Sequence, residues 1–178
     1  CMVWAAGHAD MISMSLSVKP ASSEYGSSRE ALLRAARFVM DQHVPMVCSM
    51  GNTSTQSANI PAAFAGTDVP GLVAVGATDT ADHVAHYSSR GPWMTLAAPG
   101  TSIYTTAKGG GYDWNDGTSF ATPITGGVVA MMLGKGMPKD PVLLKERLAK
   151  ATVDIGAPGP DNDSGAGRLD AWKAVTGL

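Results

Sequence analysis

The chain of 178 residues is poor in charge, in aromatic side chains and in cysteine, and these shortages exclude several classes of protein. Charged residues make up 16% and the net charge is −2, so the basic surface that nucleic acids require is missing. No apolar run reaches the length of a membrane span. We therefore expect neither nucleic acid nor a membrane as a partner. Two cysteines, Cys1 and Cys48, make no disulfide framework, and Cys48 within "VPMVCSM" is predicted to be a buried small apolar residue.

Apolar runs of strand length alternate with segments of helical period, which predicts one α/β domain. The runs lie at 11–16, 45–50, 71–77 and 94–100, and they are apolar nearly throughout, as strands covered on both faces are. Helices are predicted at 27–43, from Ser119 to Leu133, from Pro141 with Asp140 as N-cap, and at 170–175. The expected fold is a three-layer α/β/α arrangement around a mostly parallel sheet.

The stretch "NDGTSFATPITGG" (115–127) places Ser119 where an apolar helix is predicted to begin. A hydroxyl there lies at the positive end of the helix dipole, where developing negative charge is stabilised. Pro123 has no N–H to donate to the Ser119 carbonyl, which loosens the first turn and exposes the serine. From this stretch alone, Ser119 is either a nucleophile or an ordinary N-cap.

A second polar residue follows the buried strand at 45–50, in "SMGNTS" (49–54). Ligands of α/β folds bind at the carboxyl end of the strands, and the side-chain amide of Asn52 there would donate to an oxyanion. The alternative is a turn asparagine that adopts a left-handed backbone.

Several segments in the same order are similar to the subtilisin-like serine peptidases, or subtilases. These are "ADMISMSLS" (9–17), "GN" (51–52), "AVGATD" (74–79), "YSSRGP" (87–92), "AAPGTSI" (97–103), "GTSFATP" (117–123) and "PDNDSGAGRLDAWKAV" (160–175). The resemblance implies a partial subtilisin-like fold and a serine endopeptidase acting on a polypeptide substrate. It implies Ser119 as the nucleophile and Asn52 as the oxyanion donor.

The resemblance also implies that Ser15, Leu16, Ser17 and Gly51 bind the substrate, which pairs as an added strand. It implies secretion, although these residues contain no signal peptide. We expect no cofactor. We also expect no metal site, because Thr95 stands where the family often has an aspartate that ligates a cation.

The family's aspartate and histidine motifs, which precede the serine, are missing. The four histidines are His8, His43, His83 and His86, and none lies in a His-Gly-Thr-His context. A His-x-x-His metal site at 83–86, with Asp79 or Asp82, is a minor alternative to ordinary loop histidines. Residues 1–178 are therefore expected to form the C-terminal part of a subtilase catalytic domain, with the N-terminal half as a partner.

Two further interpretations remain at this point. A degenerate subtilase would serve as a non-catalytic binding or regulatory module, although a decayed site has no need of Ser119 and Asn52. A ligase would transfer the same acyl group to an amine, and no residue of the sequence favours that outcome.

Overall fold

A computed structural model describes residues 1–18, 26–56 and 59–177, with the backbone alone for residues 26 and 27. The first half of the chain forms α1 (Met2–Ala6), β1 (Ile12–Met14), α2 (Gly26–Asp41), β2 (Met46–Ser49), a short 3₁₀ helix (Ala62–Ala65) and β3 (Val73–Thr78). The second half forms β4 (Leu96–Pro99), β5 (Ile103–Thr106), β6 (Tyr112–Asn115), α3 (Thr118–Gly134), α4 (Pro141–Lys150), β7 (Thr152–Val153), β8 (Arg168–Leu169) and α5 (Ala171–Thr176). No helix within the described ranges has the length and apolarity that a membrane span needs.

Six strands form the central sheet in the order β1-β2-β3-β4-β8-β7. Four pairs of this sheet are parallel, namely β1–β2, β2–β3, β3–β4 and β4–β8. Strand β7 runs antiparallel to β8. Strand β1 is the edge of this sheet, with Ile12 opposite Met46 of β2. The mostly parallel α/β sheet that the sequence predicts is confirmed.

Both faces of the sheet are covered, because successive side chains of each strand enter different cores. Met46 and Cys48 of β2 pack with α1, α2 and the 3₁₀ helix, whereas Val47 packs with α3, α4 and α5. All three side chains are fully buried. The prediction for Cys48 is confirmed, and burial raises the pKa of its thiol far above the ordinary range.

The predicted helices are present with small shifts at their ends. Helix α4 begins at Pro141, and the Asp140 carboxylate accepts hydrogen bonds from the Val142 and Leu143 N–H groups at 2.9 and 3.0 Å. Asp170 caps α5 in the same way through the Lys173 N–H at 3.0 Å. Each predicted strand is shorter in the structure, because every strand begins one or two residues after the start of its apolar run.

The sequence analysis missed the antiparallel pair β5–β6, which forms a separate two-stranded ribbon. The ribbon leaves the end of β4 and returns directly to the start of α3. Most of the side chains in its strands are polar or exposed, so the strands lack the apolar runs that identify those of the central sheet.

Candidate active site

Ser119 is the second residue of α3, because the helix begins at Thr118 and Gly117 is the N-cap. The expectation that Ser119 itself could cap the helix is wrong by two positions. Its N–H is therefore one of the first-turn donors that have no partner within the helix. This N–H makes no hydrogen bond to any described residue. A partly buried hydroxyl and a free N–H thus stand together at the positive end of the helix dipole.

The carbonyl of Ser119 is satisfied from another element. Pro123 lies inside α3 and has no N–H to donate to it. The Ser15 hydroxyl, just after β1, donates to this carbonyl oxygen at 2.7 Å. The Ser119 hydroxyl in turn reaches the Ser15 carbonyl oxygen at 3.5 Å, a long contact that leaves Oγ available for other partners.

Asn52 is joined to the same helix start through its side-chain oxygen. Oδ1 accepts from the Thr118 N–H at 3.0 Å and from the Thr118 hydroxyl at 2.8 Å. A backbone N–H can only donate, so the amide orientation is fixed with Nδ2 pointing away from Thr118. Nδ2 lies over Gly117, where a Cβ atom would come within 3.1 Å of it. It makes no hydrogen bond to the described part of the chain, and it is a free donor at the N-cap of α3.

Gly51, and not Asn52, supplies the left-handed backbone of this turn, with φ of 99°. A Cβ at Gly51 would collide with the amide of the buried Asn59, which donates to the Met50 carbonyl at 2.9 Å. The Gly51 N–H donates to the Thr118 hydroxyl at 3.1 Å. The interpretation of Asn52 as an ordinary left-handed turn residue therefore does not hold.

Ser89 holds the turn from the other side, and the sequence analysis assigned it no role. Its N–H donates to the Gly51 carbonyl at 2.9 Å, and its hydroxyl accepts from the Thr53 N–H at 3.2 Å. The residue is fully buried. These bonds join positions on both sides of Asn52 to a segment 36 residues away, a separation that no local pattern reports.

Tyr87 anchors the other side of the helix start. Its hydroxyl donates to the Gly100 carbonyl at 2.7 Å and accepts from the Gly117 N–H at 3.1 Å. Burial raises the pKa of the Tyr87 phenol above its ordinary value. The N-cap of α3 is thereby tied to the end of β4.

Ser15, Leu16 and Ser17 are exposed at the end of the edge strand β1. Ser15 touches Ser119, while Leu16 and Ser17 make no backbone hydrogen bond to the described residues. The next residue, Val18, exchanges two backbone bonds with Ile60 at 2.9 and 3.0 Å. Leu16 and Ser17, whose backbone groups are unpaired within the described part of the chain, therefore lie between two fixed residues.

None of the four histidines, all of which are described, hydrogen-bonds to Ser119. His8 stacks on Trp4 with ring centroids 4.1 Å apart, and His86 meets the edge of the Tyr87 ring at 5.4 Å. His83 lies 3.7 Å from the Asp79 carboxylate. The N–H groups of His83 and Ala81 lower the pKa of this carboxyl.

The structure does not bring His83, His86 and Asp79 or Asp82 together as the metal site of the minor alternative. Within the described ranges, no cluster of three or more histidine, cysteine, aspartate or glutamate side chains could hold a metal ion. Thr95 uses its hydroxyl within the fold, accepting from the Ala74 N–H at 3.1 Å.

The fold is that of an α/β protein, and a serine hydroxyl and a side-chain amide at the carboxyl edge of a parallel sheet are groups of the kind that acyl-transfer sites use. The model of the subtilase family matches residues 2–167, and the chain belongs to that family. Halolysin from Haloferax mediterranei is 37% identical over 134 residues, and subtilisin from Bacillus pumilus is 30% identical over 159 residues. The self-cleaved protease domain of PatA superposes with a TM-score of 0.82 at 28% identity.

The match covers most of this chain but only part of each relative. It covers 74% of this chain and 24% of halolysin, and 86% of this chain and 54% of the Bacillus subtilisin. For PatA the shares are 98% of this chain and 64% of the solved domain. The chain thus spans less than two thirds of each of these relatives.

Proposed function

We propose that this chain is the C-terminal part of a subtilisin-like serine endopeptidase, which cleaves polypeptides through an acyl-enzyme on Ser119. The observation that carries the proposal is the fixed amide of Asn52, whose oxygen accepts two hydrogen bonds from Thr118, the residue directly before Ser119. Relatives named as serine proteases support it at the level of the family.

In the proposed mechanism, Ser119 Oγ attacks the peptide carbonyl and its proton passes to a histidine. The tetrahedral oxyanion receives hydrogen bonds from Asn52 Nδ2 and from the Ser119 N–H. Collapse breaks the C–N bond, and the leaving amine takes the proton from the histidine. Water then hydrolyses the acyl-enzyme by the reverse sequence of proton transfers. Both oxyanion donors are preorganised, so they need no rearrangement as the charge develops.

We place the histidine and its aspartate in an N-terminal half that is not part of these 178 residues. None of the four histidines of this chain hydrogen-bonds to Ser119, and His8, His83 and His86 make the other contacts described above. Strand β1 is an edge with one partner, β2, among the described strands, and an unpaired edge is a site where another strand adds. The match covers only 24% of halolysin and 54% of the Bacillus subtilisin, which supports the proposal that a part of the domain lies outside these residues.

The substrate is proposed to lie extended along Ser15, Leu16 and Ser17, where free backbone groups are available for pairing. Gly51 is proposed to contribute to substrate binding through its backbone, because its left-handed turn directs Asn52 towards the start of α3. Relatives named as extracellular proteases support a secreted enzyme.

The test compares the chain alone with the same chain produced together with the N-terminal half, using casein hydrolysis as the readout. We expect no hydrolysis by the chain alone and turnover by the pair. Ser119→Ala should abolish that turnover, and Asn52→Ala should lower kcat by about 10²–10³-fold. Robust hydrolysis by the isolated chain would overturn the need for an added half. An inactive pair with an intact fold would favour the non-catalytic binding module.

A further inference from the structure

Lys145 lies on α4, and its partly buried side chain reaches across to a different element of the fold. Its Nζ donates to the carbonyl of Ala65, the last residue of the 3₁₀ helix and 80 residues away in sequence. Lys139 and Lys173 lie 3.3 and 3.9 Å from a carboxylate, whereas Lys145 forms no ion pair with any described residue. Its amine is therefore held by a neutral acceptor, and no adjacent negative charge stabilises the ammonium form.

A cavity of about 440 Å³ lies beside Lys145, between the 3₁₀ helix, α4, the segment before β4 and the loop at 160–166. Much of its lining is small or apolar, including Ala65, Trp93, Met94, Ala149 and Ala166. Burial lowers the pKa of Lys145 from 10.5 to about 8. At pH 7 the reactive neutral amine is therefore on the order of 10²-fold more abundant than for an exposed lysine.

Asp161 is the other charged residue among the described residues that line the cavity. Its Oδ1 accepts from the N–H groups of Asp163 and Ser164 at 2.8 and 2.7 Å, so the carboxylate is held by its own loop. A negative charge added to Lys145 would enter a mostly apolar cavity that already contains this carboxylate, which is unfavourable. The groups that this cavity admits on Lys145 are therefore uncharged.

The cavity is separated from the edge where we place the N-terminal half. Met94 and Thr95 directly precede β4, so the cavity lies at the amino end of that strand, whereas Ser119 and Asn52 lie at the carboxyl edge of the sheet. Strands β2 and β3 lie between β4 and β1, a separation of about 14 Å at the ordinary strand spacing. A strand added beside β1 would therefore lie on the far side of β2 and β3 from this cavity.

We propose that Lys145 is a site of covalent acylation by small uncharged acyl groups that are delivered as thioesters. This inference goes beyond the proposed peptidase and does not depend on it. The neutral amine attacks the thioester carbonyl carbon, an N–C bond forms and the C–S bond breaks. The leaving thiolate takes the proton that the nitrogen loses. The product is an uncharged amide, and its remaining N–H can still donate to the Ala65 carbonyl.

The surroundings of Lys145 favour acylation over two other reactions of a neutral amine. An imine formed with an aldehyde has no hydrogen on its nitrogen, so the Ala65 carbonyl would lose its donor. A carbamate formed with carbon dioxide would bring a negative charge into the cavity that Asp161 lines. The amide is uncharged and keeps a donor, so it meets both conditions.

The test treats the whole chain with excess S-acetyl-N-acetylcysteamine, a small thioester, and follows acetylation of each lysine by mass spectrometry of peptides. Near pH 7 we expect Lys145 to react at least about tenfold faster than Lys150, an exposed lysine of the same helix. The rate at Lys145 should level off above about pH 9, where its amine is neutral, whereas the rate at Lys150 should keep rising. The preference should disappear in concentrated urea, because the unfolded chain has no cavity.

Equal rates at Lys145 and Lys150 in the folded chain would overturn the proposal, and so would a preference that persists in urea. Lys145→Arg keeps the charge, and it should remove the fast site without changing the rate at Lys150. A succinyl thioester carries a negative charge and should show a smaller preference for Lys145, and a larger one would overturn the assigned class of acyl group.

The same measurement on Ser119→Ala combined with the N-terminal half separates this inference from the proposed peptidase. We expect the preference for Lys145 to be unchanged there, because neither Ser119 nor a histidine takes part in the acylation. Loss of the preference would show that the added half covers the cavity and would overturn the proposal. A wild-type pair that is acylated at Lys145 but never cleaves casein would remove the peptidase proposal alone.

Discussion

The Ser15 hydroxyl donates a 2.7 Å hydrogen bond to the Ser119 carbonyl oxygen, across 104 residues of sequence. Pro123 creates the need for this bond, since it removes the backbone donor that would otherwise reach the same carbonyl. The edge of the sheet and the start of α3 are thus joined at the serine that we propose as nucleophile. Position 15 therefore has a structural role in addition to its proposed contact with substrate.

We predict that Ser15→Ala lowers the free energy of unfolding by about 0.5–1.5 kcal/mol, the net contribution of one hydrogen bond. Ser15→Thr keeps the hydroxyl and should therefore retain most of the free energy of unfolding that Ser15→Ala loses. Ser13→Ala is the matched control, because Ser13 is exposed on β1 and its hydroxyl makes no hydrogen bond to the described residues. Urea denaturation measures all three, and equal losses at positions 13 and 15 would contradict the assigned bond.

Ser88 and Ser89 offer a matched test of how Asn52 is positioned. Both are fully buried, but the Ser88 hydroxyl accepts from the Ala77 N–H of β3, whereas the Ser89 hydroxyl holds Thr53 beside Asn52. Ser88→Ala leaves the buried Ala77 N–H without its acceptor, and Ser89→Ala does the same to the partly buried Thr53 N–H, so each should cost about 1–3 kcal/mol of stability. Only Ser89→Ala should also lower kcat of the two-part enzyme while KM stays nearly constant. The same fall in kcat for Ser88→Ala would show that lost stability, and not misplacement of the amide, is responsible.

The buried ammonium of Lys145 should make the free energy of unfolding depend on pH. Burial lowers the pKa of its ammonium from 10.5 to about 8, while its Nζ donates to the Ala65 carbonyl at 2.5 Å. Between these two pH values the unfolded chain binds more protons at this site than the folded chain does. The contribution of Lys145 to the free energy of unfolding therefore rises with pH from about 8 to 10.5.

The measurement is the difference in unfolding free energy between the wild type and Lys145→Met, taken from pH 7 to 10.5. We expect this difference to shift in favour of the wild type as pH rises. Lys150→Met, at an exposed position of the same helix, corrects for the loss of one positive charge. A difference that stays flat above pH 8 would contradict the assignment.

The sequence predicted the elements that local patterns define. Strand β2 was predicted from an apolar run, which exists because all four residues of the strand are buried. Helix α4 was predicted because Asp140 and Pro141 mark its start. The ribbon β5–β6 was missed because its strands face solvent and its aromatic residues lack the periodicity of a buried face. Solvent-facing strands carry little of the hydrophobic signal from which strands are inferred.

The site was predictable only in part for a related reason. Ser119 and Asn52 were identified from short motifs, and their roles remain predictions. The hydroxyls of Ser15 and Ser89 that hold these two segments act across 104 and 36 residues. Partners at such separations follow from the packing of the whole sheet, which a single sequence does not display.

Labelling with a fluorophosphonate probe tests the central claim most directly, because the probe reacts with an activated serine hydroxyl and not with an ordinary one. The chain combined with its N-terminal half should be labelled at Ser119, as located by mass spectrometry of its peptides. Ser119→Ala should abolish the label and Asn52→Ala should slow its formation, while the chain alone should react slowly or not at all. Absence of label in the folded two-part protein, or label on another serine, would contradict the account.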